Sequence, residues 1–285
     1  MAPDLFVAVS SMIFSRSINR RVFKRLLIPI AFTALDHSPL LCEGLAKGGQ
    51  MQNRYAGDIG DYVKLALIRA IASDLSLGVA WYLFPDENHN SDGRHVSYLD
   101  QPERWRHLDP DLFDTLKATV REQRTVAALE ASGALPGALY SREPITTDAI
   151  PAGERCDFRH QWFGRTTDQL RGCDLVFADP DNGLVDDHPR RRRDRKFGKQ
   201  LPISEALSLA HGRQAVIYHH NTRYPGRHDL EVEWWRSQLG DGTIAVRANA
   251  YSCRTFFIVN PSEAVKDRTA QFCERWSGHR VRLTA

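Results

Sequence analysis

The pattern of apolar and polar positions predicts alternating helices and strands from about residue 53 onward. Apolar residues recur at helical spacing over 61–73, which predicts a helix with Asp61 as its N-cap. The same spacing predicts further helices over 109–133, 162–170, 204–212, 229–239 and 262–276. Short apolar runs predict strands over 79–84, 138–141, 174–178, 215–218, 244–250 and 255–259.

Several of these strands are continuously apolar and are separated by helices. This arrangement is typical of an α/β protein with a mostly parallel sheet covered by helices on both faces. The last two predicted strands are joined by a short polar turn, so we expect them to form an antiparallel hairpin at one edge of the sheet.

The first fifty residues lack this patterning. A basic patch at 20–25 precedes an apolar run at 26–35, which Pro29 interrupts. The run is far shorter than the roughly 20 residues that span a bilayer, and no A-x-A cleavage site follows it. We expect residues 1–50 to be a disordered extension or translated upstream sequence. A targeting or membrane-surface segment and an integral part of the fold are the alternatives. Residues 51–285 are expected to form a single domain.

Composition narrows the class of protein further. Hydrophobic residues make up 42% of the 285 positions and charged residues 26%, which is typical of a globular protein and argues against disorder. The net charge of +3 does not by itself require a nucleic-acid partner. The 5 cysteines are odd in number and include no C-x-x-C pair, so neither a zinc knuckle nor a disulfide framework is indicated. We expect a reduced, cytoplasmic protein with no membrane partner.

Unusual polar clusters follow three of the predicted strands. They occupy 85–95, 179–183 and 219–221, and the last of them begins with a His-His pair. If the strands are parallel, all three clusters lie at the same rim of the sheet, where open α/β sheets bind ligands. Turn chemistry explains any one of these clusters, but it explains three in succession poorly. We therefore predict a functional site at this rim.

A basic run at 190–196 follows the second cluster. A run of this density is typical of a phosphate-binding segment, and it is equally typical of a solvated flexible loop. Both interpretations stay open at the level of sequence.

A family resemblance connects several of these segments. Residues 55–65, Tyr-Ala-Gly-Asp-Ile-Gly-Asp-Tyr-Val-Lys-Leu, resemble the opening helix motif of the RlmJ-type ribosomal RNA adenine-N6 methyltransferases. Leu-Pro-Gly at 135–137 and Asp-Pro-Asp-Asn at 179–182 resemble that family's Pro-Gly turn and its Asp-Pro-Pro-Tyr motif. The strands at 215–218 and 257–261 resemble its later strands. The similarity covers about residues 53–261, and it depends on the order of the motifs rather than on any one of them.

The resemblance implies a Rossmann-like, doubly wound fold and S-adenosylmethionine as cofactor. It implies methyl transfer to the amine of a nucleobase or nucleotide-like substrate. Asp179 would orient the acceptor amine with help from Asn182, and His219 or His220 would act as a base or contact the substrate. The cofactor contacts would come from Lys64, Asp86 and Glu143. The substrate contacts would come from Arg54, Tyr55 and Arg254.

The chain departs from the family pattern at two places. Asp181 and Asn182 replace the second proline and the aromatic residue, so the ring that stacks on the target base in the family is missing. Residues 86–95 replace the glycine-rich loop after the first strand, and no G-x-G-x-x-G fingerprint is present.

Two other functions remain open. Carboxylates and imidazoles are ligands for Mg²⁺ or Mn²⁺, so the same fold is compatible with a metal-dependent phosphodiesterase or nuclease. Its ligands would be Asp58, Asp86, Asp179, Asp181, His219 and His220. The third possibility is a non-catalytic nucleic-acid-binding descendant of such an enzyme.

The first prediction follows from the lack of helix and strand patterns before residue 51. We expect a chain that begins at Met51 to fold with the same free energy of unfolding as the full chain, measured by urea denaturation. A loss of more than about 2 kcal/mol, or aggregation of the shorter chain, would show that residues 1–50 pack on the domain.

Overall fold

The computed structural model describes residues 53–85 and 93–284. Its helices are α1 (Ile59–Ile71), α2 (Pro102–Trp105), α3 (Pro110–Glu122), α4 (Val126–Ala131), α5 (Arg155–Gln169), α6 (Ile203–Leu209), α7 (Arg227–Leu239) and α8 (Glu263–Arg275). Its strands are β1 (Leu77–Trp81), β2 (Leu139–Ser141), β3 (Leu175–Asp179), β4 (Gly183–Val185), β5 (Gln200–Pro202), β6 (Gln214–His220), β7 (Ile244–Ala248), β8 (Arg254–Val259) and β9 (Val281–Thr284).

Seven strands form one sheet in the order β2-β1-β3-β6-β8-β7-β9. Strands β1, β2, β3 and β6 pair in parallel, and β8 runs antiparallel between β6 and β7. Strand β7 therefore points the same way as β6, and five of the seven strands share one direction. This is the mostly parallel α/β sheet that the sequence predicts. A separate small sheet pairs β4 with β5.

Both faces of the sheet are buried under helices. Leu175, Phe177 and Val216 belong to the apolar cluster that includes residues of α1, α3 and α8. Val176 and Ala215 belong to the opposite cluster, which includes residues of α5, α6 and α7. Successive strand residues point to opposite faces, so a strand buried on both sides must be apolar at every position. This explains the continuous apolar runs in the sequence.

The predicted antiparallel hairpin is present, but it does not form the edge of the sheet. Strands β7 and β8 pair antiparallel, and β9 pairs with β7 on its outer side. Strand β8 is thus an interior strand between β6 and β7. The sequence analysis missed β9 because its four residues, Val-Arg-Leu-Thr, form only a short alternating pattern at the end of the chain.

The start of α1 differs from the prediction by one turn. Asp58, not Asp61, is the N-cap, and its side chain accepts a hydrogen bond of 3.0 Å from the backbone N–H of Asp61. The Asp61 carboxylate accepts a hydrogen bond of 2.9 Å from Gly57 N–H. The two carboxylates together satisfy N–H groups at the start of the helix.

In the described part of the chain, no helix has both the length and the apolar content needed to cross a membrane. The expectations for residues 1–50 and for Asp86 concern positions outside the described residues.

Gly183 allows β4 to lie directly against β6. Its φ is +82°, and a β-carbon at this position would lie 2.6 Å from His219 Cα. The next residue, Leu184, donates its N–H to His219 Nδ1 at 3.0 Å. A side chain at position 183 would therefore clash with β6 and would strain the backbone.

This close approach yields the second prediction. We expect Gly183→Ala to lower the free energy of unfolding, measured in urea, by about 1–3 kcal/mol more than Gly212→Ala does. Gly212 is a matched control because its φ is +71°, while no described atom lies within 4 Å of the place where its β-carbon would be. Equal losses in the two variants would show that only the backbone conformation matters at position 183.

Candidate functional site

A cavity of about 560 Å³ lies at the carboxyl ends of β1, β3 and β6, beside the start of α1. Its lining includes four carboxylates, four cationic side chains and several aromatic rings. The carboxylates are Asp58, Asp61, Asp179 and Asp181, and the cations are Lys64, Lys196, Lys199 and Arg254. The rim where the polar clusters were predicted to meet is therefore a real cavity of mixed charge.

Asp179 and Lys64 form the floor of this cavity. Asp179 is two residues beyond Phe177 on β3, so its side chain projects to the face of the sheet covered by α1. Lys64 Nζ on α1 donates to Asp179 Oδ2 at 2.7 Å and lies 2.7 Å from Asp61 Oδ1. The same ammonium lies 5.4 Å from the centre of the Trp81 ring. The resemblance assigns Lys64 and Asp179 to one site, and the structure brings the two side chains into contact.

The charges in this group shift each other's pKa values. Burial raises the pKa of Asp179, and the charge of Lys64 opposes that rise. Burial lowers the pKa of Lys64, but the charges of Asp179 and Asp61 outweigh burial and raise it. Lys64 is thus held firmly in its charged form between two carboxylates.

A second charged group lies at the start of α1. Arg254 on β8 places its guanidinium against Gly60, where a β-carbon would lie 2.6 Å from Nη2. Its Nη2 lies 4.0 Å from Asp58 Oδ2. Burial and the nearby charge of Asp61 raise the pKa of Asp58, while Arg254 lowers it. Glycine at position 60 therefore lets a cation from the sheet reach the end of the helix.

The polar cluster after β3 also faces the cavity. Asp181 Oδ2 accepts from Lys199 Nζ at 2.8 Å, and Asn182 lies in the lining with its backbone N–H bonded to Lys199 O at 2.8 Å. Tyr55, a predicted substrate contact, lines the cavity, and Arg54 lies beside it with its guanidinium 5.9 Å from the centre of the Tyr55 ring.

The two adjacent histidines of β6 face opposite sides of the sheet. His220 lines the cavity, and its Nδ1 lies 3.2 Å from the Tyr218 hydroxyl. The prediction that His219 belongs to this site is wrong, because residues 219 and 220 alternate across the strand. His219 is fully buried on the other face, where its Nε2 lies 3.1 Å from Glu231 Oε1.

Glu231 connects His219 to the turn after β6. Its carboxylate accepts hydrogen bonds from Asn221 Nδ2 at 3.1 Å and from the Thr222 hydroxyl at 2.7 Å. Burial alone would raise the pKa of Glu231, but hydrogen bonds from His219, Thr222 and Asn221 outweigh burial and lower it to about 2. Because Leu184 N–H donates to Nδ1 of His219, the proton of the neutral ring is on Nε2, facing Glu231. This network anchors β4 to β6 and does not enter the cavity.

Glu143 does not lie in the cavity either, so its predicted contact with a cofactor is not supported by its position. Its carboxylate makes two hydrogen bonds with Arg165 on α5, at 2.6 Å and 2.8 Å. Both side chains are substantially exposed. The pair is a surface ion pair between the segment after β2 and helix α5.

The predicted set of metal ligands does not fit a divalent cation. His219 faces the other side of the sheet, and the ammonium groups of Lys64 and Lys199 already pair with Asp179 and Asp181. Within residues 53–85 and 93–284, no three His, Cys, Asp or Glu side chains are grouped so that they could hold a metal ion.

The basic run forms an anchored segment beside the cavity. It folds into two short 3-10 turns, Arg191–Arg193 and Arg195–Lys199. Two buried arginines of α5 hold its backbone: Arg155 donates to Arg193 O, and Arg159 donates to Phe197 O. The Gly198 N–H bonds to Thr147 Oγ1 at 2.8 Å. The backbone of this segment is therefore positioned by hydrogen bonds, while most of its arginine side chains are exposed.

Several lining residues were missed at the level of sequence. Asp61 is three residues before Lys64 on the same helix face, which is a spacing that could have identified it. Tyr218 precedes His220 by two on the same strand face, so alternation could have found it too. Lys199 and Tyr251 have no such local signal, because tertiary contacts alone bring them to the cavity, whereas His95 belongs to the polar cluster at 85–95 that was predicted at this rim.

The pairing of Lys64 with two carboxylates generates the third prediction. We expect Lys64→Met, which keeps the length of the side chain, to lower the free energy of unfolding at pH 7 by about 3 kcal/mol, because Asp61 and Asp179 lose their shared cation. A carboxyl group whose pKa is higher in the folded than in the unfolded state loses stabilisation as pH rises. The deficit should therefore shrink as pH falls from 7 toward 3.8, the ordinary pKa of aspartate.

Lys266→Met is the control, because Lys266 Nζ forms only an exposed ion pair with Glu263 at 2.7 Å. We expect it to change the free energy of unfolding by less than about 1 kcal/mol at any pH. Equal effects of the two substitutions would contradict the importance of the buried pair.

Comparison with models of known protein families and with the sequences of curated proteins finds no match to this chain. The arrangement of side chains in the cavity is therefore the physical basis for assigning a function.

Proposed function

We propose that the cavity binds S-adenosylmethionine and that the protein transfers a methyl group to the amine of a nucleobase or nucleotide-like substrate. The observation that carries this proposal is the Asp179 carboxylate, which follows an apolar strand, precedes Pro180 and faces the cavity beside Lys64. The order of sequence motifs, which resembles that of adenine-N6 methyltransferases, supports the same function.

The topology of the sheet supports a ligand site at this position. From β1 the chain passes to β2 on one side and then returns to β3 on the other side of β1. After its carboxyl end, β1 connects toward β2, whereas β3 connects toward β6, in the opposite direction along the sheet. A crevice therefore opens between the carboxyl ends of β1 and β3. Ligands of open α/β sheets bind in such crevices, and this is the basis for proposing a Rossmann-like fold.

The cavity suits a cofactor that carries a zwitterionic amino acid, a sulfonium and an adenine ring. Its volume of about 560 Å³ falls within the range of small-molecule sites. Carboxylates and cations occur in equal numbers in the lining, and Trp81, Tyr82 and Tyr218 supply flat rings. Asp58 and Asp61 are the carboxylates we assign to the ribose hydroxyls, in place of Glu143. Lys64 and Arg254 are the cations we assign to the carboxylate of the amino acid, so Arg254 becomes a cofactor contact instead of the predicted substrate contact.

The residues of this chain would orient the acceptor and remove its proton. S-adenosylmethionine, when bound, supplies an electrophilic methyl group. The Asp179 carboxylate and the Pro180 carbonyl each accept a hydrogen bond from the acceptor amine, which aims the nitrogen lone pair at the methyl group. His220 lies in the same cavity and takes the proton that the amine loses.

The charge beside the cavity favours an acceptor that carries phosphate. Lys196 lines the cavity and continues the basic run in which Arg190, Arg192 and Arg193 are exposed. Anchoring by Arg155 and Arg159 lowers the entropy that the segment would lose when it binds phosphate. We therefore assign the acceptor to nucleotides or nucleic acids.

The fourth prediction separates acceptor binding from cofactor binding. The parent protein should bind S-adenosylhomocysteine in isothermal titration calorimetry. It should also transfer radiolabelled methyl groups from S-adenosylmethionine to cellular RNA, genomic DNA or nucleoside monophosphates. Asp179→Asn should bind S-adenosylhomocysteine within about threefold of the parent and transfer methyl groups at least about 100-fold more slowly.

Glu143→Gln is the matched control, because Glu143 lies in a surface ion pair. It should leave both binding and transfer unchanged. If the parent protein fails to bind S-adenosylhomocysteine at millimolar concentration, the proposed function is wrong. Equal transfer by Asp179→Asn and the parent would remove Asp179 from the reaction.

A further inference from the structure

Tyr251 adopts a backbone conformation that aromatic residues rarely take. Its φ is +68°, and the N–H of Ser252 bonds to the carbonyl of Ala250 at 2.9 Å across it. These features define a three-residue γ-turn with a positive φ at its centre, which is the rare and strained form of that turn. The turn joins β7 to β8 and places Tyr251 at its tip.

The turn does not need a tyrosine. Glycine reaches positive φ without strain, and asparagine tolerates it better than a bulky residue does, so either would connect the two strands at lower cost. Two polar atoms beside the tip, Asn249 Oδ1 and Ser252 Oγ, are buried and have no hydrogen-bond partner among the described residues. The segment therefore keeps an unfavourable local structure around this one side chain.

The position of Tyr251 gives the reason for that cost. The residue lines the cavity, yet 49% of its surface is exposed, so it lies at the cavity mouth. On one side it meets the ring of His95, with ring centres 5.3 Å apart and planes inclined by 31°. His95 belongs to the segment just before α2, and its carbonyl accepts a hydrogen bond of 3.0 Å from Ile59 N–H at the start of α1. Among the described residues, the Tyr251 ring is thus supported by His95, and about half of the tyrosine remains exposed.

We propose that Tyr251, backed by His95, is a stacking platform that holds a flat heteroaromatic ring at the mouth of the cavity. The inference rests on the proposed function in identifying that ring as the base of the methyl acceptor. An exposed aromatic side chain stacks on any base, because every base has a flat face. The fixed turn and the His95 contact already restrict the side chain, so less conformational entropy is lost on binding.

The test compares two uncharged probes, cytidine and ribose, in the absence of S-adenosylmethionine; cytidine carries a flat base that the cofactor does not contain. Isothermal titration of the full chain should show that cytidine binds at least about tenfold more tightly than ribose, a difference of about 1.4 kcal/mol. Tyr251→Gly should lose that preference, and Tyr251→Phe should keep it, because phenylalanine retains the ring without the hydroxyl.

Thermal unfolding of the same variants excludes a structural explanation. Tyr251→Gly relieves the positive φ, so its melting temperature should equal or exceed that of the parent while ring binding is lost. Arg227→Gly is the control, because Arg227 has a similar φ of +73° and lies outside the lining of the cavity. It should leave the preference for cytidine over ribose intact.

Three outcomes would overturn the inference: no preference for cytidine over ribose in the parent, an unchanged preference in Tyr251→Gly, or a lower melting temperature together with lost binding in that variant. The assay contains no methyl donor and does not involve Asp179. Ring binding that survives while methyl transfer is absent would therefore refute the proposed function alone, and the reverse result would refute only the platform.

Discussion

The ammonium of Lys64 lies between carboxylates that come from two different elements, and much of the molecule depends on this arrangement. Asp61 belongs to α1 and Asp179 ends β3, and all three side chains are largely removed from water. A buried charge without a partner is strongly destabilising, so the three groups constrain one another. Helix α1 must therefore keep its first two turns over the carboxyl ends of the strands. This constraint places Asp58 and the start of the helix in the wall of the cavity.

The alternation of side chains along the strands decides how the remaining polar residues are used. Asp179, Tyr218 and His220 project to the face that α1 covers, and they line the cavity. His219 projects to the opposite face, where its ring nitrogens contact Leu184 N–H and the Glu231 carboxylate. A pair of neighbouring histidines thus serves two unrelated purposes. One contributes to the candidate site, and the other attaches the small sheet to the large one.

The cavity differs in character from floor to mouth. At the floor, charges are compensated within the protein, which suits the recognition of a ligand that carries charges of both signs. At the mouth, Tyr251 and His95 present exposed rings, and Lys196 of the basic run also lines the cavity. A ligand that has a charged part and a flat ring would contact both regions. This change from paired charges at the floor to exposed rings at the mouth connects the proposed methyl transfer with the proposed stacking platform.

Local pattern identified most of the main helices and strands after residue 53, but it missed the short strands β4, β5 and β9 and predicted α3 and α4 as a single helix over 109–133. Apolar runs identified the interior strands, because a strand covered on both faces leaves no position for polar residues, and the polar residues that follow β3 and β6 identified the rim. The capping residue of α1 was misassigned although the hydrogen bond from Asp61 N–H to Asp58 is local. The contacts of His219 with Leu184 and Glu231, by contrast, were decided by tertiary structure, because they join separate elements. Strand β9 and the cavity lining from Lys199 and Tyr251 also depended on the folded chain, since residues far apart in sequence meet there only after the sheet has formed.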